Sequence, residues 1–350
     1  MSAPRPALKT LAIGTSPHIH GRRSTESIMR HVALATAPLV AFSFYVYGLA
    51  ALLLVATAVA ACLLSEYALG RLRGAPPTLD DGSALVTGLL LGLTLPPTLP
   101  LWMAAVGGAL AIGLGKALFG GLGYNPFNPA LVGRVVLQGA FPVAMTTWAP
   151  PLAPGRFSAV SPSLLAWPFM RPPAVDAAGG ATPLAAFKFE GAPTQAADLA
   201  LGLVGGSTGE ASAALVLAGG AYLALRGMLN WRIPAAIFAC VALLSGLFHA
   251  LDPAVYPGPL FMLTAGGLCF GAVFMATDMV TAPLTHAGAA LYGALIGLLV
   301  FVIRLWGGLP EGVQYSILFA NACVPLIDRA VRNRVYGTVP KKQSRKGEKP

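Results

Sequence analysis

Residues 30–69 read RHVALATAPLVAFSFYVYGLAALLLVATAVAACLLSEYAL, two apolar runs that meet at Gly48. Between Arg30 and Glu66 there is no Asp, Glu, Lys or Arg. A helix rises about 1.5 Å per residue and the hydrocarbon core of a bilayer is about 30 Å thick, so each run has the length of one crossing. The rest of the chain extends this pattern. Of its 350 residues 56% are hydrophobic and 10% charged, with 41 Gly and 30 Pro, a composition foreign to water-soluble globular domains. The expectation is an all-α polytopic membrane protein with ten transmembrane helices, at 30–48, 49–69, 83–97, 100–117, 126–143, 210–227, 233–250, 258–276, 286–304 and 311–328. The third and fifth segments are short and adjoin Pro96-Pro97 and Asn125-Pro126. They are expected to be re-entrant or broken, a form tolerated where backbone lines a protein interior. Residues 1–29 are polar and basic with no apolar stretch before the first segment, so no cleavable signal is expected.

Orientation follows from Lys and Arg, which concentrate in short cytoplasmic loops. Arg5, Lys9, Arg22, Arg23, Arg30, Arg71, Arg73, Lys116, Arg226, Arg232 and the cluster from Arg329 to Lys349 fall on one face of a ten-segment chain. That face is expected to be cytoplasmic and to hold both termini. Connections after segments one, three and seven carry no Lys or Arg, and the one after segment nine has only Arg304 at its edge. The formal charge of +10 follows from this asymmetry. The basic tail is expected to lie against anionic lipid head groups, and without aromatic interleaving it does not suggest nucleic acid. Five parts are delimited: an N-terminal arm, 1–29; a first membrane half, 30–143; an insert facing out, 144–209; a second membrane half, 210–328; and a basic tail, 329–350.

Shifting the chain by 187 residues lays Thr94 and Pro96 on Thr281 and Pro283, and Gly120-Gly121-Leu122 on Gly307-Gly308-Leu309. Five segments per half force the halves into opposite orientations, an inverted repeat. Sites in such folds lie where interrupted helices meet, so the breaks near Pro96 and Pro283 mark a candidate cavity. Near them stand Asn125 and Asn128, each before a proline, with amides that could grip one polar ligand edge or cap a turn. Asp278 adjoins the end of a segment in a chain with 13 acidic residues, which makes it a candidate for ligand or ion duty or for a helix cap. Glu66 and Asp252 are weaker ion candidates at segment ends. Cys62, Cys240, Cys269 and Cys323 show no C-x-x-C spacing and suggest packing rather than metal. His18 and His20 lie in the basic arm, and no metal site is assigned. The pairs Gly107-Gly108, Gly219-Gly220 and Gly266-Gly267 are read as close helix contacts.

Within the insert, Asp176-Ala177-Ala178-Gly179-Gly180-Ala181-Thr182 resembles the covalent flavin attachment motif Asp-x-x-Ser-Gly-Ala-Thr, with Gly179 in the serine position. Asp176, Gly180, Ala181 and Thr182 match. In proteins carrying that motif the threonine hydroxyl is esterified to the phosphate of FMN. Pro183 fixes the chain direction just after the hydroxyl.

The blocks Asp81 to Leu90, Phe119 to Val136, Thr277 to Thr285 and Pro310 to Asn321 resemble the RnfD component of the Rnf electron transport complex, which is homologous to the NqrB component of the sodium-pumping NADH:quinone reductase. The start Thr15-Ser16-Pro17-His18-Ile19-His20-Gly21-Arg22-Arg23 is also similar to the Rnf protein. The resemblance implies membership of an ion-translocating ferredoxin:NAD oxidoreductase in a bacterial inner membrane, with no acid, base or nucleophile used in turnover. It implies FMN on Thr182 at the periplasmic side, placed there by a flavin transferase, and riboflavin at Thr87, Asn125, Asn128 and Asp278. The implied partners are the A, B, C, E and G subunits of the Rnf complex, and the implied ion is sodium or a proton. Two alternatives stand beside this: the NqrB component of the quinone reductase, and a non-redox inverted-repeat transporter.

Overall fold

A computed structural model of the chain describes residues 24–74, 78–158, 160–168, 170, 182–191, 194, 196–202, 204–209, 212–253 and 255–332. Among them there are helices and turns and no strand, as a medium without water demands of any backbone that crosses it in single segments. The first half contains α1 (Thr25–Tyr47), α2 (Leu49–Leu72), α3 (Ser83–Leu93), α4 (Leu101–Gly115), α5 (Pro129–Ala140) and the short α6 (Pro142–Met145). Next come α7 (Pro183–Ala185), continued by a π-helical turn over Ala186–Glu190, and α8 (Ala196–Leu201). The second half contains α9 (Ala213–Leu225), α10 (Arg232–Leu251), α11 (Pro259–Thr264), α12 (Leu268–Phe270) with a π-helical turn over Gly271–Met275, α13 (His286–Trp306) and α14 (Val313–Ala330). Among the described residues five helices are long and apolar enough to cross a membrane: α1, α2, α4 with its extension to Phe119, α10 and α13.

The two halves share part of their packing. In the first, α2 lies along α3 and α4, and α4 lies along α5; in the second, α10 lies along α13, and α13 along α14. Contacts of α1 with α9 and of α5 with α14 join the halves. Close approach depends on glycine. A Cβ on Gly108 of α4 would stand 2.9 Å from Ala61 Cβ and 3.1 Å from Ala58 O of α2. One on Gly293 of α13 would stand 2.6 Å from the carbonyl oxygen of Ile233. The pair Gly107-Gly108 is therefore a helix contact as expected. Gly266-Gly267 is different: Gly266 has φ +64° and sits in a break between α11 and α12, so the eighth predicted segment is two short pieces.

Helices that stop inside the bundle leave carbonyls needing donors. At the break, buried Arg304 of α13 donates to Met262 O at 2.5 Å and Ala265 O at 2.8 Å. Helix α3 has 11 residues, about 16 Å of rise and short of a crossing. The end of the insert covers its last turn, with Thr208 Oγ1 donating to Gly92 O at 2.8 Å and Gly209 N to Leu93 O at 2.6 Å. The insert also docks on the α1–α2 turn, where Leu49 N donates to Arg156 O at 3.0 Å and Arg156 Nε to Tyr45 O at 2.8 Å.

Gly293→Val, which drives a branched side chain into the backbone of α10, is expected to destabilise the detergent-solubilised protein by roughly 1–3 kcal/mol. Gly113→Ala, whose Cβ meets nothing within 4 Å, is expected to leave the thermal midpoint unchanged or slightly raised. Thermal unfolding monitored by size-exclusion chromatography checks both.

Candidate functional site

Two cavities lined by predicted site residues lie at opposite ends of the bundle. The larger, about 430 Å³, opens on the end where the insert docks, and its lining includes Thr182, Arg134, Trp148, Phe189, Glu311 and Gln314. Thr182 is buried; it caps α7, with Oγ1 accepting from Ala185 N at 3.2 Å, and its carbonyl accepts from Ala186 N at 2.8 Å. Pro183 at the first helical position fixes the backbone direction beside this cap. Across the space, Arg134 of α5 is 8% exposed, and its Nη2 lies 3.5 Å from Glu311 Oε2. Gln314 of α14 contributes an Oε1 that is buried with no hydrogen-bond partner among the described residues. The remaining motif positions, Asp176, Gly180 and Ala181, lie outside the described residues.

The smaller cavity, about 80 Å³, brings together Thr87, Asn125, Asn128 and Asp278, with Ser83 and Lys116 beside them. These residues come from α3, the α4–α5 turn, the start of α5 and the turn before α13. Asn128 is committed structurally: Oδ1 accepts from Ala130 N at 3.0 Å and Leu131 N at 3.3 Å, capping α5, while Nδ2 donates to Met275 O at 3.2 Å. Asn125 Nδ2 donates to Phe127 O at 3.2 Å, and its buried Oδ1 has no partner among the described residues. Thr87 Oγ1 donates back to Ser83 O at 2.8 Å. Asp278 accepts from Val280 N at 3.3 Å and Thr281 Oγ1 at 3.4 Å. It does not cap α13; Thr285 does, accepting from Gly288 N at 2.9 Å.

The breaks near Pro96 and Pro283 do not meet in one cavity. Thr94 lines the larger and Thr281 supports Asp278 of the smaller, because the turn after α3 lies under the insert and the turn after Met275 lies at the far end. What joins the cavities is a shared wall. Met275 lines the larger one while its carbonyl takes Asn128 Nδ2 from the smaller, and Leu131 and Ala130 face one each.

Several site residues were not singled out by sequence. Lys116 served as a face marker, yet it is 3% exposed, with Nζ 2.6 Å from Glu66 Oε1 and 2.5 Å from Ser83 Oγ, and with Asp81 Oδ2 at 3.8 Å. Thr78 Oγ1 donates to Glu66 Oε1 at 2.5 Å. Glu66 thus belongs to a buried ion pair beside the smaller cavity, whereas Asp252 is exposed at the end of α10, outside both cavities. Arg134 and Gln314 were also missed. A charge inside the apolar run 126–143 was the available signal for Arg134.

The helices long and apolar enough to cross a bilayer define a multi-pass helical membrane protein. The chain belongs to the NQR2, RnfD, RnfE family, whose model matches residues 12–337. It is 43% identical over 334 residues to the D subunit of the ion-translocating oxidoreductase complex of Stutzerimonas stutzeri, covering 90% of this chain and 93% of that one. It is 42% identical over 346 residues to the protein of the same name in Cronobacter sakazakii, covering 93% and 98%. It is 40% identical over 336 residues to the D subunit of the proton-translocating ferredoxin:NAD(+) oxidoreductase complex of Clostridium ljungdahlii, covering 93% and 96%.

Lys116→Met leaves the Glu66 carboxylate buried without its cation and is expected to cost about 3–5 kcal/mol. Lys116→Met with Glu66→Gln is expected to recover most of that loss. Thermal midpoints and membrane accumulation of the two variants check the coupling.

Proposed function

We propose that this chain is the membrane subunit of an ion-translocating ferredoxin:NAD oxidoreductase complex that carries electrons through FMN bound covalently at Thr182. The observation that carries this reading is Thr182 in the lining of a cavity of about 430 Å³, within the roughly 300–1,000 Å³ typical of cofactor and ligand pockets. The residues present fit the group. Trp148 and Phe189 offer aromatic wall, Gln314 offers an unused acceptor, and Arg134 offers a cation to a phosphate group. FMN when bound supplies the electron chemistry, and the protein supplies position and electrostatics. Thr182 supplies the oxygen that replaces AMP on the phosphorus of FAD; the linkage makes the chain a phosphoprotein in the strict chemical sense. The names of the relatives support the complex, and their shared designation as its D subunit favours it over the NqrB component of the quinone reductase.

In the same reading the ten segments form two inverted sets of five, with the insert in the periplasm of a bacterial inner membrane and both termini in the cytoplasm. The packing that the two halves share supports the repeat, and the docking of the insert on the α1–α2 turn through Arg156 and on the α13–α14 turn through Lys188 supports the orientation read from the charge pattern. The partners are the other Rnf subunits, a flavin transferase during maturation, and sodium or a proton as the moved ion. Ion movement requires two states with different ion affinity.

For the smaller cavity the donor chemistry suits a flavin's polar edge but about 80 Å³ does not admit the ring in this conformation. Riboflavin there is a separate proposal that needs α1 and the turn at Met228 and Leu229 to move outward, and no step is assigned to it.

The decisive experiment is in-gel flavin fluorescence after coexpression with a flavin transferase. The native chain is expected to fluoresce on a denaturing gel and Thr182→Ala to be dark; a dark native band beside an active transferase overturns the reading and favours a colourless transporter. For riboflavin, Asn125→Leu is expected to reduce noncovalent flavin released by denaturing the purified protein, with the covalent band unchanged. Equal release from both chains would remove riboflavin from this cavity.

A further inference from the structure

The stretch that carries Thr182 is fastened to the bundle at one charged point. Lys188, in the π-helical turn after α7, directs its ammonium to Gly307 O at 2.5 Å, Arg304 O at 2.9 Å, Leu309 O at 3.2 Å and Ile303 O at 3.4 Å. These carbonyls belong to the last turn of α13 and the residues that follow it. The final carbonyls of a helix lack intrahelical partners and carry the negative end of its dipole. An ammonium has three donors and no acceptor, which suits it to such a cage. Burial alone pulls the Lys188 ammonium below the ordinary lysine range, and the carbonyl dipoles act against that.

Apolar attachments stand beside it among the described residues. Leu184 is buried in a cluster with Leu199 and Ala265, and the Phe187 ring lies 5.3 Å from that of Phe261. Apolar contacts of this kind tolerate sliding, whereas a cation in a ring of fixed carbonyls sets a register. The same last turn of α13 supplies Arg304, which pins the α11–α12 break to Met262 and Ala265. One helix end therefore fixes both the segment that walls the larger cavity, through Gly267 to Met275, and the residues just after Thr182.

We propose that Lys188 is a positioning residue whose bonds to the carboxyl end of α13 hold Thr182 in the lining of the larger cavity, in register for modification and for seating the attached ring. The proposal rests on the reading of Thr182 as the attachment site. A simple structural cap would affect stability alone; a positioning residue also governs how the Thr182 stretch is presented.

The test uses the full chain as native, Lys188→Met and Lys188→Arg. Flavin per chain is measured on denaturing gels after coexpression with a flavin transferase. Separately, without the transferase, Leu184→Cys is placed in each background and the solubilised protein is treated with a water-soluble maleimide, with labelling of the parent chain and its native cysteines subtracted. Lys188→Met is expected to lower flavin per chain by roughly tenfold and to raise labelling of the Leu184→Cys chain by a similar factor, on the scale set by small losses of register. Lys188→Arg, which also donates to carbonyls, is expected to match native in both measurements. A Lys188→Met chain that accumulates in membranes and matches native in both overturns the proposal. If that chain does not accumulate, Lys188→Arg decides, and its failure to match native overturns the proposal equally. A native chain that stays dark beside an active transferase refutes the attachment reading and the positioning role with it, while the maleimide comparison still decides whether Lys188 fastens the stretch.

Discussion

Carbonyl oxygens freed where helices stop inside the bundle need donors, and the architecture is arranged around the buried groups that provide them. In a medium without water an unmet backbone group is costly. Arg304 answers for Met262 and Ala265 at the α11–α12 break, Thr208 and Gly209 for the last turn of α3, and Asn128 for Met275. Each donor comes from a different part of the chain than its acceptor. Breaking a helix is therefore inseparable from assembling the tertiary structure around it, and the chambers lie where the breaks lie.

The ionic groups follow the same logic. Lys116, Glu66 and Ser83 form a connected buried set at one end of the bundle with half-buried Asp81 beside it, while Arg134 and Glu311 face the larger cavity at the other. A lone buried charge is expensive, and a paired, hydrogen-bonded one is tolerated. The pairing ties α2, α3 and α4 together at one end and α5 to the residues before α14 at the other. Positive charge is thereby brought to the lining of both chambers, where anionic ligand groups or changes of ligand charge would be felt.

The wall between the chambers is thin and polar at one point. The amide of Asn128 caps α5 with its oxygen and holds the π-helical turn of the other half with its nitrogen. π-Helical turns recur at functional positions because they interrupt the regular ladder. Here the turn spans Gly271–Met275 and contributes to both linings. A displacement of this turn would alter both chambers together, which is the kind of shared element that coupling between two sites requires.

Hydropathy along the chain determined the class of protein, the all-helical backbone and the placement of α1, α2, α4, α10 and α13 near the expected segments, because crossing a membrane is a property of local length and apolarity. The family resemblance implied one site for Thr87, Asn125, Asn128 and Asp278, and the four line one cavity. The sequence did not reveal that the eighth segment is two pieces, since Gly266 is a break only when Arg304 is present to satisfy its neighbours. Nor did it reveal that Lys116 is buried, since a lysine at the end of an apolar run has the same local pattern whether it meets lipid head groups or Glu66. Tertiary structure alone decided that Arg134, Gln314 and Thr182 share one chamber and that Lys188 rests on the end of α13. Those relations depend on which helices pack together and in what register, a nonlocal balance of close contact and buried hydrogen bonding that no stretch of the chain carries by itself.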